Sequence, residues 1–206
     1  MAVTSIKKCK KNKGMYSVFI DDRYAFSITE EDYYRHCLYE DREISDEQIE
    51  SIKQGASYKD AKSQAIRHLS YRMLSESQLF SKLQTKGYNE NIIWDVINEL
   101  KSIGYLNDMM YAKKFVYERM KLKPKSKRML KIELAGKGVP DDIITQVIDE
   151  MDFDEDMIIE GLIKRRFGKY NIQDPKIKKK IYYFLLHRGF SIGNIRGVLK
   201  RITDPI

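Results

Sequence analysis

The chain has 206 residues, 33% charged and 42% hydrophobic, with 38 Lys and Arg against 30 Asp and Glu for a formal charge of +8. This composition excludes a disordered or low-complexity chain, and no apolar run approaches the roughly 18 residues that a membrane span needs. The start Met1-Ala2-Val3-Thr4 lacks the apolar stretch of a secretion signal, and Cys9 and Cys37 make no disulfide framework, so a reducing, cytoplasmic setting is expected.

The first 57 residues read differently from the rest. Thr4 to Cys9, Met15 to Ile20 and Tyr24 to Ile28 have strand composition, separated by the turn-like Asn12-Lys13-Gly14 and Asp21-Asp22. They predict a small three-stranded antiparallel sheet, too small to stand alone, that packs on neighbouring helices or on a partner. Thr29 with Asp32, and Ser45 with Gln48, carry the spacing of helix starts.

Downstream, apolar residues recur with helical spacing. Ala61, Ala65, Ile66 and Leu69 form one stripe, and Ile93, Val96, Ile97 and Leu100 another at i, i+3, i+4, i+7. Ser75 with Gln78, Asn89, Asp108, Ser126, Pro140, Asp174-Pro175 and Ser191 mark helix starts. The predicted helices are 58–73, 75–86 and 89–103; then 108–122, 126–137 and 140–150; then 154–170, 175–188 and 191–202.

These nine segments are three copies of one unit. Leu83…Gly87, Leu134…Gly138 and Leu185…Gly189 lie at a fixed period of 51 residues. The same step carries Leu79 to Leu130 and Ile181, Ile93 to Ile144 and Ile195, and Val96 to Val147 and Val198. Apolar positions persist while polar ones drift, the mark of a shared core under diverged surfaces. The expected fold is mainly α: three tandem three-helix (helix-turn-helix-like) repeats in an elongated array, behind a small N-terminal antiparallel β-sheet. The expected boundaries are 1–57 for the sheet and a helical segment, then 58–106, 107–153 and 154–206 for the repeats.

Charge is segregated along the chain. Residues 113–138 carry ten Lys and Arg against two acids, and residues 164–188 nine against one. Between them, residues 139–163 carry nine acids and no Lys or Arg, and residues 21–50 eleven acids against three arginines. In the helix from Pro175, Ile177, Ile181, Phe184 and Leu185 take the core side, which leaves Lys176, Lys179, Lys180 and Tyr183 outward. Lysines around a tyrosine suit a phosphate backbone with a stacking base. Lys164, Arg165 and Lys169 share a face of the preceding helix, and Lys123, Lys125, Lys127, Arg128 and Lys131 crowd the link into the helix from Ser126. Lys113 and Lys114 head the same basic band. Lys62, Lys113 and Lys164 are repeat-equivalent, which predicts a basic stripe recurring through the repeats. These bands suit nucleic acid or an acidic protein surface.

Signals for catalysis are missing. There is no GxxxxGK[ST] phosphate loop, and His36, His68 and His187 are scattered, the latter two expected at helix surfaces. His36-Cys37 has no second pair at zinc spacing. The acidic run Asp149 to Asp156 lacks the glycine and terminal glutamate of a calcium loop and is read as a linker with helix N-terminal acids. Trp94 reads as a core-edge aromatic. We expect a binding protein, not an enzyme, with no metal or cofactor.

The stretch Gly104-Tyr105-Leu106-Asn107-Asp108-Met109-Met110-Tyr111-Ala112-Lys113-Lys114-Phe115-Val116-Tyr117-Glu118-Arg119 resembles the signature of the RecX family of recombinase regulators. So does Leu69-Ser70-Tyr71-Arg72-Met73-Leu74-Ser75, followed by Leu79, Leu83 and Lys86-Gly87. The resemblance covers about 58–202. It implies a regulator of the RecA recombinase that binds the RecA filament on single-stranded DNA and suppresses its ATPase, strand-exchange and co-protease activities; a monomer is expected. Direct binding to single-stranded DNA, and to double-stranded DNA, is also implied. Two positions depart from the pattern: Gln78 stands where an acid is usual, and Arg166 stands in the third repeat where the second has Phe115. For Asp108, Tyr111, Phe115 and Arg119 we expect capping and packing roles. The alternatives are a stand-alone DNA-binding protein of tandem helix-turn-helix-like bundles and a purely protein-binding scaffold.

Overall fold

A computed structural model describes residues 1–9, 14–151 and 153–203. Strands β1 (Val3–Lys8), β2 (Met15–Ile20) and β3 (Arg23–Thr29) form an antiparallel sheet in the order β1-β2-β3. The strands expected from sequence are there, each within a residue of its predicted start and end. Asp21 and Asp22 both take positive φ in the β2–β3 turn, as a tight hairpin demands. Asn12 and Lys13 of the first turn, and Asp152 of the acidic run, lie outside the described residues.

Helices α1 (Glu30–Arg35) and α2 (Asp46–Tyr71) follow. Thr29 caps α1, and Ser45 and Gln48 form a reciprocal capping box at the head of α2. The helix expected from residue 58 instead begins at Asp46 and runs unbroken for 26 residues, about 39 Å. No proline interrupts it, and Gly55 alone costs only about 1 kcal/mol in a helix interior. Ile49 and Ile52, on its first half, close the core of the sheet with Val18, Ile20, Phe26 and Ile28. Ala61 and Ala65, on its second half, are fully buried, while Ile66, placed in the same stripe from sequence, is exposed. One helix therefore holds the sheet and also supplies the first member of repeat one. Lys59 of α2 donates to the buried Asp32 of α1. Burial pushes the Asp32 carboxyl up, but hydrogen bonds from Lys59 and Thr29, with the charges of Lys59 and Arg35, hold it below the usual carboxylate range.

The remaining helices are α3 (Glu76–Thr85), α4 (Glu90–Ser102), α5 (Asp108–Leu122), α6 (Lys127–Ala135), α7 (Asp141–Glu150), α8 (Glu155–Phe167), α9 (Pro175–Leu186) and α10 (Ile192–Thr203). Three successive triplets, α2–α4, α5–α7 and α8–α10, realise the repeat. Leu79, Leu130 and Ile181 are fully buried, as are Leu83, Leu134 and Leu185, and Val96, Val147 and Val198. Gly87, Gly138 and Gly189 take φ of +87°, +72° and +88°, the left-handed residue that ends the second helix of each triplet.

The described residues fall into two compact units. The first comprises Met1–Arg72 and Leu79–Tyr105; the second comprises Met73–Gln78 and Leu106–Ile206. Within the second unit one joint is built twice. Ser75 Oγ donates to the Lys137 carbonyl (2.5 Å), and the Glu76 N–H donates to Asp108 Oδ1 (2.8 Å). Fifty-one residues on, the Ser126 N–H donates to the Arg188 carbonyl (3.1 Å), and the Lys127 N–H donates to Glu155 Oε1 (2.8 Å). Each time a helix N-terminus receives a carboxylate from the following triplet, which satisfies an orphan donor and opposes the helix dipole. The turn glycines seal the contact: a Cβ on Gly138 would lie 2.2 Å from Ser77 Cβ, and one on Gly189 2.7 Å from Met129 Cβ.

Candidate nucleic-acid interface

Ion pairing sorts the basic residues. Lys62 Nζ lies 2.7 Å from Glu99, and its repeat equivalent Lys113 lies 2.8 Å from Glu150, the equivalent of Glu99. Lys62 and the Tyr58 hydroxyl, which also donates to Glu99, hold that carboxyl below the usual range; Lys113 and Gln146 do the same for Glu150. In the third copy Arg201 stands at the position of this glutamate and turns instead to Asp156 (2.9 Å) and Glu160 (3.4 Å). Lys164 is exposed, with no carboxylate partner among the described residues. The expected recurring basic stripe is therefore corrected: its first two cations are neutralised by a repeated ion pair, and only the third is free.

The second basic band is also partly neutralised. Lys114 lies 4.0 Å from Glu118 one turn away. Arg119 (2.8 Å) and Lys125 both engage Glu133. The Lys127 ammonium sits over the Phe153 ring at 5.9 Å. Lys123, Arg128 and Lys131 have no carboxylate partner among the described residues; Lys123 ends α5 with its side chain in solvent. The family-signature residues serve packing. Asn107 caps α5, Asp108 caps α3, Tyr111 is buried, and Phe115 stacks on it while Arg119 and Lys137 lie over its ring at 5.1 and 5.3 Å.

In the third triplet most of the cations have no carboxylate partner among the described residues, Arg201 being the exception. Arg165 and Lys169 are exposed at the end of α8 and beyond it, beside Lys164. On α9, Lys176, Lys179, Lys180 and Tyr183 are exposed at i, i+3, i+4, i+7, while Ile181 and Leu185 are fully buried opposite them. Asp174 and Pro175 position this face: the aspartate accepts from the Lys176 N–H (2.8 Å), and proline supplies the first helical residue. Lys178, the fourth lysine of the run, turns away to Gln173 (3.3 Å).

Two arginines outside the predicted set join this face. Arg166 and Arg188 place their guanidinium carbons 4.6 and 4.4 Å from the centre of the Phe184 ring. Neither has a carboxylate partner among the described residues, and Arg188 Nε is buried without a hydrogen-bond partner. Burial, with Arg166 and Arg165 adding like charge, pulls Arg188 below the ordinary guanidinium value. Two cations on one ring, with no carboxylate counterion among the described residues, make a positive spot suited to an anion. Sequence counting included both residues in the band but could not place them on one aromatic. His68, expected at a surface, is half-buried, and burial with Lys82, Lys86 and Arg67 lowers its pKa; His187 is exposed. Trp94 is about half exposed and packs on Phe80 at 5.0 Å, at the edge of the core as expected. Among the described residues no group of histidines, cysteines and acids could hold a metal ion, and no helix is long and apolar enough to cross a membrane.

Three tandem three-helix units that follow a small sheet, with cations lacking a carboxylate partner among the described residues concentrated in the third, define a protein of helical-repeat class with charged faces. Comparison with known families is specific. Residues 1–45 match the regulatory protein RecX N-terminal domain, and residues 61–100, 107–148 and 154–199 match the first, second and third three-helix domains of RecX. The chain belongs to the RecX family. It is 35% identical over 202 residues to regulatory protein RecX of Caldanaerobacter subterraneus subsp. tengcongensis, covering 97% of this chain and 98% of that one. It is 31% identical over 206 residues to regulatory protein RecX of Clostridium acetobutylicum, covering 97% and 95%. In structure it resembles a crystal structure of regulatory protein RecX with a TM-score of 0.66 at 22% identity, over 96% of this chain and 98% of that one. It also resembles RecX from Lactobacillus salivarius, with a TM-score of 0.59 at 23% identity, over 71% and 97%. At these identities the structural matches speak to the fold alone.

Proposed function

We propose that this protein binds the RecA filament on single-stranded DNA and inhibits its ATPase, strand-exchange and co-protease activities, so restraining recombination and the DNA-damage response. Family membership supports a regulatory role, and the resemblance to recombinase regulators supports RecA as partner. The observation that carries the DNA side of the reading is the third triplet, where Lys164, Arg165, Lys169, Lys176, Lys179 and Lys180 are exposed and have no carboxylate partner among the described residues. A charged face that meets only solvent would tolerate the repeated glutamate partner; here that partner is replaced by Arg201. The cations of the second triplet that remain free, Lys123, Arg128 and Lys131, are secondary contributors, while Lys113, Lys114, Lys125 and Lys127 act mainly within the fold. Tyr183, about half exposed among the lysines, supplies a ring for a base. A repeated protein on a repeated polymer gains avidity, since each weak contact raises the effective concentration of the next. In this reading the protein works as a monomer in the cytoplasm, without cofactor or catalysis.

The test is RecA ATPase on single-stranded DNA, titrated with this protein. Inhibition at stoichiometric ratios is expected; unchanged ATPase sinks the proposal. A gel shift without RecA separates the stand-alone DNA-binding alternative, which demands duplex binding by this protein alone and no effect on RecA.

A further inference from the structure

The N-terminal sheet has two edges, and the fold treats them differently. The outer edge of β1 is tied down at its start: the Val3 N–H donates to the Arg42 carbonyl (2.9 Å) and the Asp41 N–H to the Val3 carbonyl (2.8 Å), just before the strand the Ile44 N–H donates to the Met1 carbonyl (2.9 Å), and further on the Ile6 N–H donates to Glu40 Oε1 (3.4 Å). Among the described residues the outer edge of β3 makes no such bond; its backbone pairs with β2 alone. An open edge is a row of unpaired donors and acceptors that another extended chain can complete.

Beside that edge runs a trough of about 540 Å³. Its near wall is β3 from Tyr24 to Thr29; its far wall is one face of α2, where Lys53, Ala56, Ser57 and Asp60 follow helical spacing. The small side chains of Ala56 and Ser57 are what leave the space. A strand added to a sheet lies about 4.8 Å from its neighbour, and its alternate side chains point to opposite faces. Ala25 has no partner on β2, so β3 is bulged there, and the regular stretch open for pairing is Phe26 to Thr29. The charges select the occupant. Lys59 is engaged by Asp32, and Asp60 accepts the Tyr88 hydroxyl. Lys53 is exposed and has no carboxylate partner among the described residues. Asp60 keeps its negative charge under that hydroxyl bond, so Lys53 is the trough cation that can take a carboxylate, and the carboxylate of an incoming strand belongs at Lys53 and away from Asp60.

We propose that the edge of β3 and the facing side of α2 form a binding site for an extended segment of a partner protein, added as a fourth strand with an acidic side chain on Lys53. The site is distinct from the basic face of the third triplet and does not rest on the DNA reading. Main-chain bonds would give affinity, and the trough would select small or apolar residues at alternate positions.

The test is to pan a random octapeptide library displayed on phage against the full chain, then to measure a selected peptide by fluorescence anisotropy. We expect peptides with alternating apolar residues, at least one acid and no proline in the paired stretch. Lys53→Glu should weaken such a peptide about fivefold, the upper range for one surface charge pair. Ser57→Trp, which fills the trough, should abolish binding. Because Lys53 is exposed, its variant folds whether or not the tryptophan is tolerated. Failure to enrich peptides, or peptides indifferent to Lys53→Glu, overturns the proposal. So does light scattering that shows two copies of the chain pairing through this edge.

Discussion

Replacing Lys176, Lys179 and Lys180 together with glutamine removes three cations from one exposed face of α9 and leaves its buried face, Ile181 and Leu185, untouched. None of the three has a carboxylate partner among the described residues, so no acid there is stranded by the change. If each meets one phosphate of single-stranded DNA, each contributes about 0.7 to the slope of log affinity against log salt. The triple variant should therefore flatten that slope by about 2. The measurement is fluorescence anisotropy of a labelled oligonucleotide between roughly 50 and 200 mM salt, the range over which such slopes are well resolved. Lys113→Gln is the control. Lys113 is held by Glu150 at 2.8 Å and should change the slope by less than one contact's share. A triple variant with unaltered helical circular dichroism and an unaltered slope would refute the assignment of this face to DNA.

Arg201→Glu restores at the third triplet the acid that Glu99 and Glu150 supply in the others, and should neutralise Lys164 and weaken oligonucleotide binding, measured in the same assay. Gly87→Ala introduces only a side chain at positive φ, since nothing lies within 4 Å, and should cost about 1–2 kcal/mol. Gly189→Ala adds overpacking against Ser126 and Met129 and should cost about 1–3 kcal/mol more, read as a lower urea midpoint for the second unit; equal losses would show that the joint is loose. Asp32 is held below its unfolded value, so its pairing contributes stability above the ordinary carboxylate range and loses it as pH falls through the lower folded value. Lys59→Met should therefore lower the stability of the first unit at neutral pH and flatten its dependence on acid, measured by urea unfolding between about pH 2 and 7.

The repeat and its caps were legible because they rest on local physics. Ser45, Ser75, Asn89, Ser126 and Asp174 each cap the helix assigned to them, and the three glycines end theirs with positive φ. The fused helix α2 was not legible: a serine box at 45 and an apolar stripe from 61 look like two helices until tertiary burial of both halves decides. The neutralised lysines were within reach, since Glu99, Glu150 and Arg201 fall at the same 51-residue step, but only the packing shows that this position faces Lys62 and Lys113. The second half of the joint was hidden for a different reason. Asp108 and Glu155 do the same work from positions that are not 51 apart, so the contact is conserved in chemistry and not in register.

That joint also sets a rule for growth. Each triplet offers the next a serine at the head of its second helix, first Ser75 and then Ser126. The corresponding position of the third triplet is Ile177, and α9 begins instead with Asp174 and Pro175, its aspartate already spent on its own N-terminus. The third triplet thus lacks the serine that the first two present, and the amide of Lys176 is bonded within its own helix start, so the socket seen at Ser75 and Ser126 is not repeated at α9.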